Sequence, residues 1–104
     1  MEKLKIDGLS ILPLKQMIDD RGGVFHYLKS NSPTFKGFGE AYYSRINENV
    51  IKGWKFHHEV SQNFCVPYGS VKIVVFDHRE WSPTKGEIEE VILDDNSNYK
   101  LLHM

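Results

Sequence analysis

The chain has 104 residues, 40% of them hydrophobic and 26% charged, with 13 basic side chains against 14 acidic ones. That length supports one domain with a single core, near the size at which each missing strand is felt, and the composition is that of an ordinary globular protein rather than a disordered or membrane-spanning one. A net charge of -1, with acids interleaved among the bases, argues against a general nucleic-acid binder, which gathers Lys and Arg to displace counterions from phosphate.

In chain order, the first residues, MEKLKIDGLS, lack the continuous apolar run of a signal peptide, so the cytoplasm is the expected location. Short β-type runs then follow one another, and no long stretch shows helical periodicity, which predicts an all-β domain. Strands are expected over Ser10–Lys15, Val24–Lys29, Gly39–Asn47, Ile51–His58, Gln62–Val66, Ser70–Asp77, Glu87–Asp94 and Tyr99–His103. Turns fall at Asp19–Gly23, Pro67–Gly69, Ser82–Gly86 and Asp94–Asn98, where Gly and Asn tolerate positive φ and Pro fixes its own. Cys65 is the only cysteine, so no intrachain disulfide forms, and it reads as a buried strand thiol rather than a nucleophile. Tyr42, Tyr43, Trp54, Phe56, Phe64, Tyr68 and Phe76 are expected in the core, with Trp54 alone placed to floor a sugar or base. Several short strands at this spacing suggest a sandwich or jelly roll.

The segment from Lys52 to Gly86 carries the most specific pattern. Lys55-x-His57, four residues, Gln62, six residues and Gly69 reproduce the spacing H-x-H-x4-E-x6-G of the first motif of cupins, with Lys55 where a metal cupin has His and Gln62 where it has Glu. Only His57 remains to offer an imidazole, and a lone imidazole holds no metal tightly, so neither a metal nor another cofactor is expected. The stretch Gly69-Ser-Val-Lys-Ile-Val-Val-Phe-Asp77-His-Arg79-Glu-Trp-Ser82-Pro83-Thr84-Lys-Gly86 resembles G-x-V-x-x-V-x-x-D-x-R-x-x-S-P-T-x-G of the dTDP-4-dehydrorhamnose 3,5-epimerases and their metal-free sugar-nucleotide relatives. Asp20-Arg21-Gly22 resembles the D-x-R-G turn of the same family, and Val50-Ile-Lys52-Gly53-Trp54 stands where the family has V-L-R-G-L. The resemblance runs from about Leu12 to Met104 and is weak only between Ser30 and Gly39. It implies a cupin jelly-roll barrel occupying residues 1–104 as a single domain without the family's C-terminal strands. An incomplete barrel leaves two unpaired edges, so a homodimer is expected in which strands of one protomer complete the sheet of the other.

Epimerisation beside a ketone needs a base for a carbon-bound proton, a group that stabilises the enolate, and an acid on the opposite face. By resemblance, the base position falls on Lys55, the family's Arg position on Lys52 and its enolate-stabilising Lys position on about Gln62, while its Tyr acid and orienting Asp would lie past Met104. In an extended strand Lys55 and His57 point to one face. Both are therefore candidate catalytic residues, His57 the better one, because imidazole titrates near neutrality whereas a Lys does so only when kept dry. Candidate substrate-binding residues are Arg21, whose forked donors suit nucleotide phosphates, with Lys52, Trp54 and Gln62. Plainer readings stand beside these: Lys55 as a solvated strand residue, His57-His58-Glu59 as a polar turn, Arg21 as part of a self-contained turn, and His78 beside Arg79 as part of a structural D-x-R corner.

The function the resemblance implies is that of a cytoplasmic, metal-independent cupin acting on or binding a nucleotide-linked keto-deoxysugar in deoxysugar or surface-polysaccharide synthesis, with no nucleic-acid or membrane partner. The alternative is a non-catalytic, truncated cupin that binds a sugar or assembles with a partner, favoured by Lys55 and Gln62 at altered positions. A metal cupin is disfavoured because too few ligands survive.

Overall fold

A computed structural model describes residues 1–56 and 60–104. It is all-β, with no helix among the described residues, and no helix is long and apolar enough to cross a membrane. The strands are β1 (Glu2–Lys3), β2 (Ser10–Pro13), β3 (Gln16–Asp19), β4 (Gly22–Phe25), β5 (Asn63–Phe64), β6 (Ser70–Phe76), β7 (Ile88–Asp94) and β8 (Lys100–His103). They form a four-stranded antiparallel sheet in the order β1-β2-β8-β5 and two hairpins, β3-β4 and β6-β7.

Alternation explains the layering. Along β6 and β7 every second side chain turns inward, so Ile73, Val75, Val91 and Leu93 pack against Ile11, Phe64 and Leu102 of the four-stranded sheet. Leu102 sits opposite both Ile11 and Phe64 in register, at the centre of this contact. The reverse face of β8 is covered too, because the Tyr99 ring lies 5.4 Å from that of Phe25 and its phenol donates 2.7 Å to the His26 carbonyl. Burial pushes that phenol up to about 12. Leu101 and Leu102 are adjacent and point to opposite faces, yet both are fully buried, because β8 is the middle layer between these two covers.

A polar corner ties the amino-terminal loop to the β6–β7 hairpin. The buried Asp77 carboxylate accepts from Arg79 Nε and Nη2 (2.8 Å each), Ser82 Oγ (2.6 Å) and Thr84 Oγ1 (2.6 Å). Arg79 Nη2 also donates 2.7 Å to the Asp7 carbonyl, and the Asp7 amide donates 2.9 Å to Thr84 Oγ1. The Arg79 guanidinium holds the Asp77 carboxyl far below the usual carboxylate range. Arg79 thus belongs to a structural corner whose hydroxyls the S-P-T run supplies, while the His78 ring lies against Phe56 and Phe76 instead.

Three expectations change. The ladder over Gly39–Asn47 and Ile51–His58 is absent across the described part: residues 36–56 are all exposed, and without a surface to bury against, these apolar segments stay extended but unladdered. The end of the second expected strand, His57 and His58, lies outside the described residues. Second, β3 goes unforeseen, since Met17 and Ile18 are consecutive and exposed rather than alternating, and Gly22-Gly23, expected in a turn, belong to β4. Third, most of the aromatic residues expected in the core lie outside it: Tyr43 is 99% exposed, Tyr68 89% and Trp54 73%, while Tyr42, Phe56 and Phe76 are also exposed and, of the seven, only Phe64 packs against the buried cluster.

Candidate functional site

The segment 39–56 is a hairpin held by side chains. Its tip closes through Val50 N–H donating 3.2 Å to the Asn47 carbonyl, with Asn49 at φ 61°, a left-handed conformation that Asn tolerates better than most residues. Below the tip, Lys52 Nζ donates 3.3 Å to Ser44 Oγ. Farther down, Lys55 Nζ donates to Tyr42 Oη at 3.4 Å and lies 5.5 Å from the centre of its ring, close enough for a weak cation–π attraction. The two arms therefore lie side by side, with Tyr42 across from Lys55 and Ser44 within reach of the Lys52 ammonium.

Of the sequence candidates, Lys52, Trp54 and Lys55 share this one exposed arm. Gln62, half-buried, opens the stretch that leads into β5; its N–H donates 2.8 Å to the Met104 carbonyl, and its carbonyl accepts from Met104 N–H at 3.0 Å. Arg21 stands at the tip of the β3–β4 hairpin, where Asp19 accepts from its backbone N–H at 2.8 Å and from its guanidinium at 2.7 Å. That pairing lowers Asp19 and makes the turn self-contained. His57 lies outside the described residues. The candidates thus occupy three separate elements, and the hairpin is the one that gathers several of them.

Two open hollows mark the surface. One, of about 430 Å³, is lined by Met1, Glu2, Ile11, Leu12, Pro13 and Lys100. The other, of about 410 Å³, is lined by Lys36, Gly37, Phe38, Gly39, Val60, Ser61 and Asn63, on either side of the candidate segment. At its edge His103 Nδ1 lies 3.0 Å from Asn63 Oδ1, and burial, aided by the charge of Lys36, lowers the imidazole from its ordinary value. Among the described residues, no three His, Cys, Asp or Glu side chains converge as metal ligands do. Burial raises the Cys65 thiol, which lies 3.9 Å from Tyr99 Oη. Sequence reasoning did not foresee Tyr42 and Ser44 as partners of Lys55 and Lys52; counting outward from the Asn47–Val50 turn pairs Tyr42 with Lys55 but sets Arg45, not Ser44, opposite Lys52.

A small all-β protein built of facing antiparallel layers, closed at one end by a D-x-R-x-x-S-P-T corner, defines a cupin-type jelly roll. The family model for dTDP-4-dehydrorhamnose 3,5-epimerase matches residues 3–102, and the chain belongs to that family. A spore coat polysaccharide biosynthesis protein, SpsL, from Bacillus subtilis is 30% identical over 97 residues, covering 93% of this chain and 64% of the relative. A probable low-salt glycan biosynthesis epimerase from Haloferax volcanii is 27% identical over 94 residues, covering 88% and 60% respectively. Among solved structures, a dTDP sugar isomerase from Desulfovibrio desulfuricans superposes with a TM-score of 0.92 at 38% identity, over 95% of this chain and 63% of that one. The chain thus spans less than two thirds of the length of each of these relatives.

Proposed function

We propose that the protein is a metal-independent sugar-nucleotide epimerase or isomerase that acts on a nucleotide-linked keto-deoxysugar in surface-polysaccharide or glycan synthesis. The observation that carries this reading is the hairpin itself. Within the stretch matched to the epimerase family, it sets Lys52, Trp54 and Lys55 on one arm with Tyr42 and Ser44 opposite. In this reading Lys55 and His57 exchange the proton on the carbon beside the ketone: the C–H bond breaks, its electron pair moves into the enolate, and a proton returns to carbon as the ketone re-forms. Lys52 meets the diphosphate, Trp54 floors the sugar, and Gln62 donates to the enolate oxygen.

A Lys serves as a base only where water is excluded, and the arm that carries Lys55 is exposed. The reading therefore includes a homodimer in which strands of one protomer complete the sheet of the other and cover this arm. The nucleotide-linked ligand suits a cytoplasmic location. Incubation with a dTDP-4-keto-6-deoxy sugar in heavy water tests it. Mass spectrometry is expected to show deuterium on a carbon next to the ketone, with Lys55→Ala and His57→Ala slowing uptake by about 10²-fold or more. Uptake no faster than in the absence of protein would refute turnover.

One observation favours a second reading, a sugar-binding or assembly cupin without turnover: neither of these two hollows is lined by Lys52, Trp54 or Lys55. Binding of the same sugar nucleotide without deuterium uptake would select it.

A further inference from the structure

Epimerisation needs a proton-transfer group on each face of the carbon, and Lys55 and His57 share one arm of one hairpin. A titratable side chain outside that hairpin borders the hollow of about 410 Å³ at its foot, which Gly39 lines where one arm begins and Val60 lines beyond the end of the other. This side chain is His103, which stands opposite Asn63 in the β5–β8 register, and Asn63 lines the hollow. The volume falls within the roughly 300–1,000 Å³ of small-molecule sites. Phe38 and Val60 give it apolar walls, and Lys36, Ser61 and Asn63 give it polar groups.

The Asn63 amide is fixed at both ends, and that fixes the imidazole. Asn63 Nδ2 donates 3.3 Å to the Thr34 carbonyl, so its Oδ1 is the atom that lies 3.0 Å from His103 Nδ1. An amide oxygen only accepts; Nδ1 therefore carries the proton, and neutral His103 keeps its lone pair on Nε2, the form of a general base. The Tyr27 phenol donates to the Asn63 carbonyl and steadies the same residue from its backbone. Burial and the charge of Lys36 lower the imidazole, against a weaker opposing pull from the Gln62 backbone. Its neighbours in register, Ser10 on β2 and Asn63 on β5, carry no charge. The ring is thus neutral near pH 7 without the dryness that Lys55 requires. A base held by an orienting hydrogen bond, with a cation close by to offset the enolate, is the set that proton abstraction beside a carbonyl needs.

We propose that His103 is a further catalytic residue, the proton-transfer group for the face of the carbon that Lys55 and His57 do not serve, acting on a keto sugar seated between the hairpin and the hollow beside Lys36. His103 Nε2 takes the proton as the C–H bond breaks, and the electron pair moves into the enolate near the Lys36 ammonium. A proton from the hairpin pair then returns to the opposite face of the carbon as the ketone re-forms. In the reverse direction the two sides exchange roles, and each recovers its starting state by proton exchange with water. Asn63 acts through His103 as a positioning residue. The proposal rests on the epimerase reading above and adds to it the second group that inversion at carbon requires.

Deuterium uptake from heavy water into a dTDP-4-keto-6-deoxy sugar, followed against pH, tests it. Uptake by the parent is expected to fall as pH drops below the ordinary imidazole value of about 6.5, because protonated His103 no longer accepts. His103→Gln is expected to slow uptake about 10²-fold or more and to flatten that acid limb. Lys36→Met, at an exposed position, is expected to move the limb to higher pH, because the ring loses a neighbouring positive charge. Nitrogen-15 shifts of the parent imidazole, read without substrate, are expected to report a proton on Nδ1. A parent that takes up deuterium while His103→Gln matches it, a limb that stays in place in Lys36→Met, or a proton on Nε2 overturns the role of His103 and leaves the epimerase reading standing. A parent without uptake overturns both. Should His103→Gln fail to fold, the limb in Lys36→Met decides.

Discussion

Replacing Asp77 by Asn tests whether the D-x-R-x-x-S-P-T corner holds the fold together. The Asp77 carboxylate gathers two guanidinium donors and two hydroxyl donors at 2.6–2.8 Å, and the Arg79 backbone N–H at 3.2 Å. An Asn of the same shape keeps one acceptor oxygen and turns the other into a donor, so it sets N–H against either Arg79 Nε or the Ser82 and Thr84 hydroxyls. Each donor left without an acceptor in a buried site costs about 1–3 kcal/mol, and removing one partner of a buried ion pair costs about 3–5 kcal/mol in total. A domain of this size has about 5–15 kcal/mol to lose. The expected fall in Tm is roughly 12–40 °C. The right control is Lys85→Ala, which breaks the ion pair to Glu80, short at 2.6 Å but largely exposed; its cost is expected below about 1 kcal/mol. Urea denaturation of both variants, with hydrogen exchange at the Leu4 and Asp7 amides, separates a weakened corner from a general loss. The Asp7 amide bonds Thr84 and its carbonyl accepts from Arg79, so the amino-terminal loop is expected to exchange first. An Asp77→Asn variant no less stable than Lys85→Ala would refute the corner's role. The pH dependence has a definite sign: Asp77 is lowered in the fold, so its contribution is full above the ordinary carboxylate value and is lost only as pH falls below about 4.

A different group acts nearer neutrality. The His103 imidazole is lowered by burial and by Lys36, so the fold is favoured above the ordinary His value and weakens as pH falls from about 6.5 towards the folded value; the urea midpoint is expected to drop between pH 7 and 5, and less so in His103→Asn, whereas an equal drop in both would assign the effect elsewhere. Leu102→Ala, at the fully buried centre of the two-sheet contact, is expected to cost about 2–5 kcal/mol by chemical denaturation, against less than about 0.5 kcal/mol for Ile92→Ala on the outward face of monomeric protein; similar costs at the two positions would mean that the faces of β7 are misassigned.

What could be read from the residues depended on where burial comes from. Ser70–Phe76 and Ile88–Asp94 match expectation closely because their inward side chains meet β2, β5 and β8, all within the described chain. The run Asp94–Asn98 also matches, since its turn is local: Asp94 Oδ1 accepts from the Asn96 and Asn98 amides at 2.9 and 2.8 Å. The 39–56 hairpin carries equally strong strand signals, yet it forms no ladder. A strand is a relation between two segments and a cover, and here the apolar side chains Tyr43, Ile51 and Trp54 meet water. β3 shows the converse, since pairing with β4 gives Met17 and Ile18 a ladder even though both remain exposed.

The candidate site divides along the same line. Spacing placed Lys52, Trp54 and Lys55 on a single arm, because adjacency along a chain survives any fold. It could not bring Arg21 to that arm, because Arg21 has a partner two residues away, and a turn that satisfies its own donors exerts no pull on a distant pocket. Nor does spacing supply dryness. Whether Lys55 can act as a base depends on the water around it, and that depends on what lies over residues 39–56. Phe56, next to Lys55, lies edge-on against His78 at the end of the outward β6–β7 face, so this arm is anchored to the β6–β7 hairpin at one end only. Any change that separates the copies should therefore slow proton exchange even when Lys55 and His57 are intact. Exchange that stays undiminished in protein shown to be monomeric by sedimentation would show that the hairpin excludes water by itself.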